Sequence, residues 1–237
     1  IRIVDLTPGM VDAVLVKTAP GNQARDRSFL RAAINRVALR EGWVSRNAAA
    51  LSEPSAHRRK TPMRFALRHL PALLAAEPDP LFRCMWALFA GTGMRPTEVR
   101  TLKWSDLMER SDGLWIELEA GKTTAATLPI PVPASVAAML RTLPADGPYV
   151  FPSTSPRRKC RGKPFHVRTV QQAFSDAVER IGMPGYTLYS LRHGFASEQA
   201  RTQRDTVLGR LMRHTDVRTT KQYYVGVEED ELRGAVG

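Results

Sequence analysis

The sequence predicts a mainly α-helical protein with one small antiparallel β-sheet, an α+β chain whose core is supplied largely by helices. Three observations predict it. Apolar residues recur at helical spacing in segment after segment, as in Leu30, Ile34 and Ala38 or Val170, Phe174 and Val178. Between residues 114 and 132 the period changes to two: Leu114, Ile116 and Leu118 alternate with Trp115 and Glu117, and Thr127–Val132 reads as the returning strand. Helix-start and helix-stop signals flank the periodic segments, with proline where a first-turn N–H is not needed and glycine where the chain must turn away.

Residues 1–58 read as a helical unit. LTPGMVDAVLVKTA offers Thr7–Pro8 as a helix start, with Met10, Val14 and Leu15 near helical spacing. In RDRSFLRAAINRVALREGW, Leu30, Ala33, Ile34, Val37 and Ala38 form an apolar stripe among arginines, and Gly42 stops the helix. LSEPSAHRRKTP, residues 51–62, is polar, basic and broken by Pro54 and Pro62, as an interdomain linker would be. His57, Arg58, Arg59 and Lys60 within it either touch phosphates or keep an exposed linker soluble.

The second domain, 59–237, begins with a helix expected over 63–76. The next, over 80–90, carries Leu81, Met85, Leu88 and Phe89 with Cys84 and Trp86 beside them, so it is expected to be buried nearly all round. Gly91 and Gly93 end it, and Pro96 opens another helix, which fixes Arg95 at a tight helix entrance with Val99 and Leu102 anchored behind. Trp104 and Leu107 continue that packing. Gly121 turns the sheet and Lys122 stands at its turn end, where a lysine can also serve solubility alone. Helices follow over 134–141 and 169–180. Between them SPRRKCRGKP gathers Arg157, Arg158, Lys159, Arg161 and Lys163 in a basic loop that either contacts a phosphate backbone or is an ordinary solvated surface. Further helices are expected over 188–200, 203–212 and 217–224. A terminal one, over 228–236, carries Leu232, Ala235 and Val236.

The chain has 237 residues, with 43% apolar and 24% charged, which describes a globular protein able to bury one large core and a small helical domain. Thirty-five Lys plus Arg against 23 Asp plus Glu give a formal charge of +12, an excess that attracts polyanions. No long apolar span or isolated basic amphipathic helix points to a membrane. Cys84 lies in an apolar helix and Cys160 in a polar run, an unlikely disulfide pair, so a reducing compartment is expected. No stretch reads as a signal peptide, and Ile1 in place of an initiator methionine is expected of a chain that begins inside a longer product. His57, His69, His166, Cys84 and Cys160 show no recognised ligand spacing and no phosphate-binding glycine loop occurs, so neither metal nor cofactor is expected.

The chemistry concentrates in residues 186–224, YTLYSLRHGFASEQARTQRDTVLGRLMRHTDVRTTKQYY, which hold Arg192, His214 and Tyr223. Upstream, GTGMRPTEVRTLKWSDL adds Arg95 and EAGKTTAATLPIPV adds Lys122. Two arginines, a lysine, a histidine and a tyrosine suffice to attack a phosphodiester without metal. Tyr223 can act as nucleophile, although a phenol of ordinary pKa, about 10, needs assistance. Arg95 and Arg192 can clamp the two nonbridging oxygens through permanently charged planar forks. A preorganised donor of that kind contributes on the order of 3 kcal/mol to a transition state. His214 can donate to the phosphate, Glu98 can orient Arg95, and Thr219 and Thr220 can shape the approach to the nucleophile.

The order Arg, Lys, Arg, His, Tyr resembles the catalytic domain of the tyrosine recombinases, the phage integrase family, over roughly residues 60–237. VSRNAAA resembles the end of that family's core-binding domain, of which only about half is present. The resemblance implies the DNA breaking-and-rejoining fold behind a partial helical core-binding domain. It also implies Lys122 as general acid for the leaving 5′ oxygen, where neighbouring cations would lower its pKa toward a useful range. It implies site-specific recombination of double-stranded DNA, an integrase working through a 3′-phosphotyrosyl intermediate and a four-way junction. The partners implied are a homotetramer on paired sites and an accessory directionality factor, in the cytoplasm of a bacterial or phage-infected cell. Two departures stand out. Tyr189 occupies a position where the family commonly has histidine, and tyrosine is the weaker base near neutral pH, while His193 is expected to point from a different part of the helix. Arg213 replaces the customary glycine before His214. A type IB-like topoisomerase and a cleavage-impaired DNA-binding relative remain as alternatives, the former disfavoured by a terminal helix suited to docking on a neighbouring protomer.

Overall fold

The computed structural model describes residues 2–52, 63–118, 128–156 and 159–213. The chain divides into two compact units, residues 1–61 and 62–237. In the first, helix α1 (Pro8–Leu15) starts at the predicted Thr-Pro: Thr7 Oγ1 accepts from the Met10 amide at 3.2 Å, filling a donor that has no intrahelical acceptor. Its buried residues are Val11 and Leu15, one turn apart, whereas Met10 and Val14 are exposed, so the expected face is displaced. Helix α2 (Pro20–Ala33) continues into a π-helical segment, Ile34–Leu39. The wider turn divides the stripe read from an ideal period, burying Ile34 and Ala38 and leaving Ala33 and Val37 exposed. Asn47 caps the short helix α3 (Ala48–Leu51). Its Oδ1 accepts from the Ala49 and Ala50 amides, while Nδ2 donates to the Arg31 carbonyl at 2.8 Å.

In the second unit, helix α4 (Leu70–Ala76) follows a 3-10 turn over Leu67–His69. It begins later than expected because residues near Phe65 are engaged elsewhere: the Phe65 amide donates to the Ser190 carbonyl at 2.9 Å. Pro71 then fits the first turn. Helix α5 (Pro80–Thr92) is buried on nearly every side, as its composition predicts, and its indole at Trp86 donates to Glu77 Oε2 at 3.1 Å. Gly91 lies inside this helix, and Gly93 ends it at φ 61. Helix α6 (Pro96–Arg100) follows at once.

Strands β1 (Leu107–Arg110), β2 (Gly113–Ile116) and β3 (Ile130–Pro131) form an antiparallel sheet in that order. Leu107 faces Ile116 across the first pair, and Ile116 faces Ile130 across the second. Strand β1 replaces the continued helical packing expected at Leu107. Met108, Glu109 and Arg110 are all exposed, so no alternation announces it. The turn expected at Gly121 lies outside the described residues.

Helices α7 (Ala134–Arg141), α8 (Val167–Arg180), α9 (Leu188–Thr202) and α10 (Asp205–Leu211) complete the described part. Val170, Phe174, Ala177 and Val178 form the buried side of α8, with Ala173 packed beside them. Helix α9 packs along α5 and approaches the start of the unit so closely that a Cβ on Gly194 would overlap the Phe65 carbonyl. Phe195, Ala196, Leu208 and Met212 hold α10 against it. The helices expected over 217–224 and 228–236 lie outside the described residues. No described helix is long and apolar enough to cross a membrane.

Candidate active site

The site is built on the sharp corner between α5 and α6. Gly93 takes a left-handed conformation there, and a Cβ would overlap the Phe195 ring, so both backbone and space require glycine. The corner makes Arg95 the residue that enters α6. Glu98, one turn on, accepts from the Arg95 amide through Oε2 at 2.7 Å and from Arg95 Nη1 through Oε1 at 2.9 Å. The pair therefore satisfies a helix-entry donor and orients a guanidinium together. Arg95 Nη2 donates to the Arg213 carbonyl at 3.0 Å.

Arg192 rises from α9 on the other side and is 4% exposed. Its Nη1 donates to the Gly93 carbonyl and its Nη2 to the Met212 carbonyl at 2.7 Å. A buried guanidinium needs such partners, because desolvated charge without hydrogen bonds is costly. The two arginines thus hold consecutive carbonyls, those of residues 212 and 213, directly before His214. The structure brings Arg95, Glu98 and Arg192 together at this corner.

Arg213 itself is the residue that sequence reasoning left out of the site. It has φ 50, the one described non-glycine residue with positive φ, and is 1% exposed. Its Nη2 donates to Glu98 Oε2, so Glu98 is bracketed by two guanidinium groups. Nε and Nη1 are buried without a hydrogen-bond partner among the described residues. Burial pulls its pKa below the usual arginine range, the charge of Glu98 opposes that shift, and the charge of Arg95 adds to it. The available signal was the arginine itself, standing where a glycine is customary.

Tyr189 lies on the first turn of α9 and is exposed. Its ring centroid is 6.4 Å from that of His193. The two share one face of the helix, as residues four apart must, which corrects the expectation that His193 points elsewhere. Burial lowers the His193 pKa, with further lowering from the Arg192 and Arg64 charges, so the imidazole is held toward its neutral form. Lys159, Arg161 and Lys163 are exposed on a loop closed by a bridge between Pro152 and Pro164, with the Ser153 amide donating to the Lys163 carbonyl at 2.7 Å. Lys122, His214, Thr219, Thr220 and Tyr223 lie outside the described residues, as do His57, Arg58, Arg59, Lys60, Arg157 and Arg158.

Among the described residues no group of three His, Cys, Asp or Glu side chains could hold a metal ion. Burial pushes the Cys84 thiol up to about 12, which leaves it unreactive at neutral pH. Arg95 and Arg192 are the chemical asset of the described site: two permanently charged forks with fixed orientation, suited to a phosphate diester.

Residues 68–231 match the model of the phage integrase family. The tyrosine recombinase XerA of Pyrococcus furiosus is 29% identical over 156 residues, a match that covers 65% of this chain and 53% of that protein. The chain thus spans about half the length of this relative. Among solved structures, a lambda integrase (75–356) dimer bound to a COC′ core site superposes with a TM-score of 0.74 at 21% identity, covering 96% of this chain and 83% of that one. The Tn1549 transposon integrase (82–397) in complex with circular intermediate DNA gives 0.72 at 15% identity, covering 100% and 87%. At these identities the structural likeness is one of fold, mainly helical with a small antiparallel sheet.

Proposed function

Because the chain belongs to the phage integrase family, we propose that it is a site-specific DNA recombinase that cleaves and rejoins duplex DNA through a 3′-phosphotyrosyl intermediate. The observation that carries this reading is the convergence of Arg95 and Arg192 on the Met212 and Arg213 carbonyls, which ties a two-armed phosphate clamp to the backbone entering His214. In this reading residues 1–58 are the partial core-binding domain and 59–237 the catalytic domain.

Arg95 and Arg192 hold the two nonbridging oxygens of the scissile phosphate, and Glu98 keeps Arg95 in place. The Tyr223 phenol oxygen bonds to phosphorus as the bond from phosphorus to the 5′ oxygen breaks. Lys122 gives that oxygen its proton. The phenol proton passes toward the helix face of Tyr189 and His193, where the imidazole is the group suited to receive it. His214 donates to the phosphate as charge builds, and Thr219 and Thr220 shape the nucleophile's approach. The released 5′ hydroxyl then attacks the phosphotyrosine of a second duplex, so one phosphoester replaces another and no external energy is required. A homotetramer on paired sites, passing through a four-way junction, provides that second duplex. The basic linker and the loop bearing Lys159, Arg161 and Lys163 contact the DNA backbone.

The test uses a duplex recovered by the protein itself from a random-sequence pool, nicked near the cleavage point so that the released fragment is lost. The wild-type chain should accumulate a denaturant-resistant protein–DNA adduct. Tyr223→Phe should keep DNA binding and form none. An undiminished adduct in that variant would refute the assignment and direct attention to Tyr224.

A further inference from the structure

Resting on the recombinase reading, we infer that Arg213 is a third cation of the phosphate clamp, a positioning residue that acts through Glu98 and Arg95 to keep the clamp positively charged. Glu98 is the shared partner of both guanidinium groups. A carboxylate paired only with Arg95 would cancel the charge of the side chain it orients. Here Oε1 takes Arg95 Nη1 while Oε2 takes Arg213 Nη2 as well as the Arg95 amide. The trio carries one net positive charge where Arg95 and Glu98 alone would carry none. Glu98 can thus hold Arg95 rigidly without silencing it.

Other duties for Arg213 fit the geometry poorly. Its guanidinium is turned inward to Glu98, so it adds nothing to solubility. Glycine would adopt φ 50 without steric penalty and would leave no buried cation. The arginine instead occupies a disfavoured backbone region and keeps Nε and Nη1 unpaired among the described residues. Phosphoryl transfer gives such a charge a use. The diester has one negative charge, and attack by the tyrosine oxygen places more on the nonbridging oxygens. A fixed cation therefore stabilises the transition state more than the ground state.

The experiment compares Arg213→Gly and Arg213→Lys with wild type on two nicked duplexes of the selected sequence. One has an ordinary scissile phosphate, and the other a methylphosphonate there, in which one nonbridging oxygen is replaced by an uncharged methyl group. A unit charge acting at ~9 Å through an effective dielectric of ~20 changes a rate constant by roughly twentyfold. With protein below saturation, so that free duplex is the reference, Arg213→Gly should lose at least that factor in adduct formation on the phosphate and less on the methylphosphonate, whose transition state carries one negative charge fewer. Arg213→Lys should recover most of the loss, and thermal melting should show both variants folded. Equal losses on the two duplexes, or no loss, would overturn the inference and leave Arg213 a scaffold residue. Equilibrium binding gives a second, cleavage-independent reading. Neutralising the scissile phosphate should weaken wild type more than Arg213→Gly, and equal weakening would overturn the inference too. Absence of an adduct with wild type would count instead against the recombinase reading.

Discussion

Gly93→Ala is the most informative single perturbation of the scaffold, because Gly93 serves the fold and the site together. Its φ of 61 lies in the left-handed region, where a side chain costs roughly 1–2 kcal/mol. The added Cβ would also overlap the Phe195 ring, and forcing a methyl into a packed contact costs about 1–3 kcal/mol more. The sum, roughly 2–5 kcal/mol, is a large share of the ~5–15 kcal/mol that holds a typical domain together. At about 2–4 °C per kcal/mol for a chain of this size, the melting point should fall by roughly 4–20 °C. The Gly93 carbonyl accepts from Arg192, so displacement of this corner should also slow adduct formation in the protein that remains folded. Gly91→Ala is the matched control. It lies within α5, its Cβ would sit 3.1 Å from Pro133 Cγ and 3.2 Å from Val136 Cγ2, and alanine's better helix propensity returns about 1 kcal/mol. Urea and thermal unfolding of both variants provide the comparison. A Gly93→Ala protein as stable as Gly91→Ala would show that the corner's geometry does not depend on glycine.

Two further outcomes test separate parts of the site. Lys122→Ala should slow cleavage strongly on an ordinary duplex but much less when sulfur replaces the 5′ leaving oxygen, since a thiolate departs without a proton. Equal losses on both substrates would make Lys122 an electrostatic or structural residue. His193 has a pKa lowered in the folded state by burial and by the Arg192 and Arg64 charges, so the unfolded chain binds its proton first as pH falls. Its contribution to stability is therefore complete above the ordinary histidine pKa of about 6.5 and declines as pH drops through that value toward the folded one. Urea unfolding from pH 8 to 5 should show His193→Gln losing less stability on acidification than wild type, and parallel curves would rule this linkage out.

The parts of the fold that the sequence shows are those set by neighbours along the chain. The all-round apolar run of α5, the glycine that ends it and the proline that opens α6 are local signals, and they place Arg95 and Glu98 one turn apart. The 3.6-residue period likewise finds the buried side of α8. It misleads near Ile34 because a π-helical turn changes the phase, and the sequence contains no proline or glycine there to mark it. Strand β1 is hidden for a different reason: three of its four side chains face solvent, so no apolar alternation marks its pairing with β2. The shared face of Tyr189 and His193 was available from their spacing alone. The bracketing of Glu98 by Arg213 was not, since those residues meet only after α9 has packed on α5 and α10 on α9.

The way the two arginines grip the end of α10 bears on how freely this part of the molecule can vary. Arg95 and Arg192 reach main-chain oxygens at 212 and 213, atoms that every amino acid possesses. Replacing either side chain leaves the acceptors chemically intact, provided the backbone path survives. The positions next to His214 are thus released from the duty of recognising the arginines, and their side chains are open to other employment. At 212 that employment is a methionine in a small apolar cluster; at 213 it is a guanidinium turned inward to Glu98. Anchorage through the main chain separates the inheritance of the site's shape from the identity of the residues that line it, and so gives the protein room to acquire an arginine where a glycine would serve the backbone.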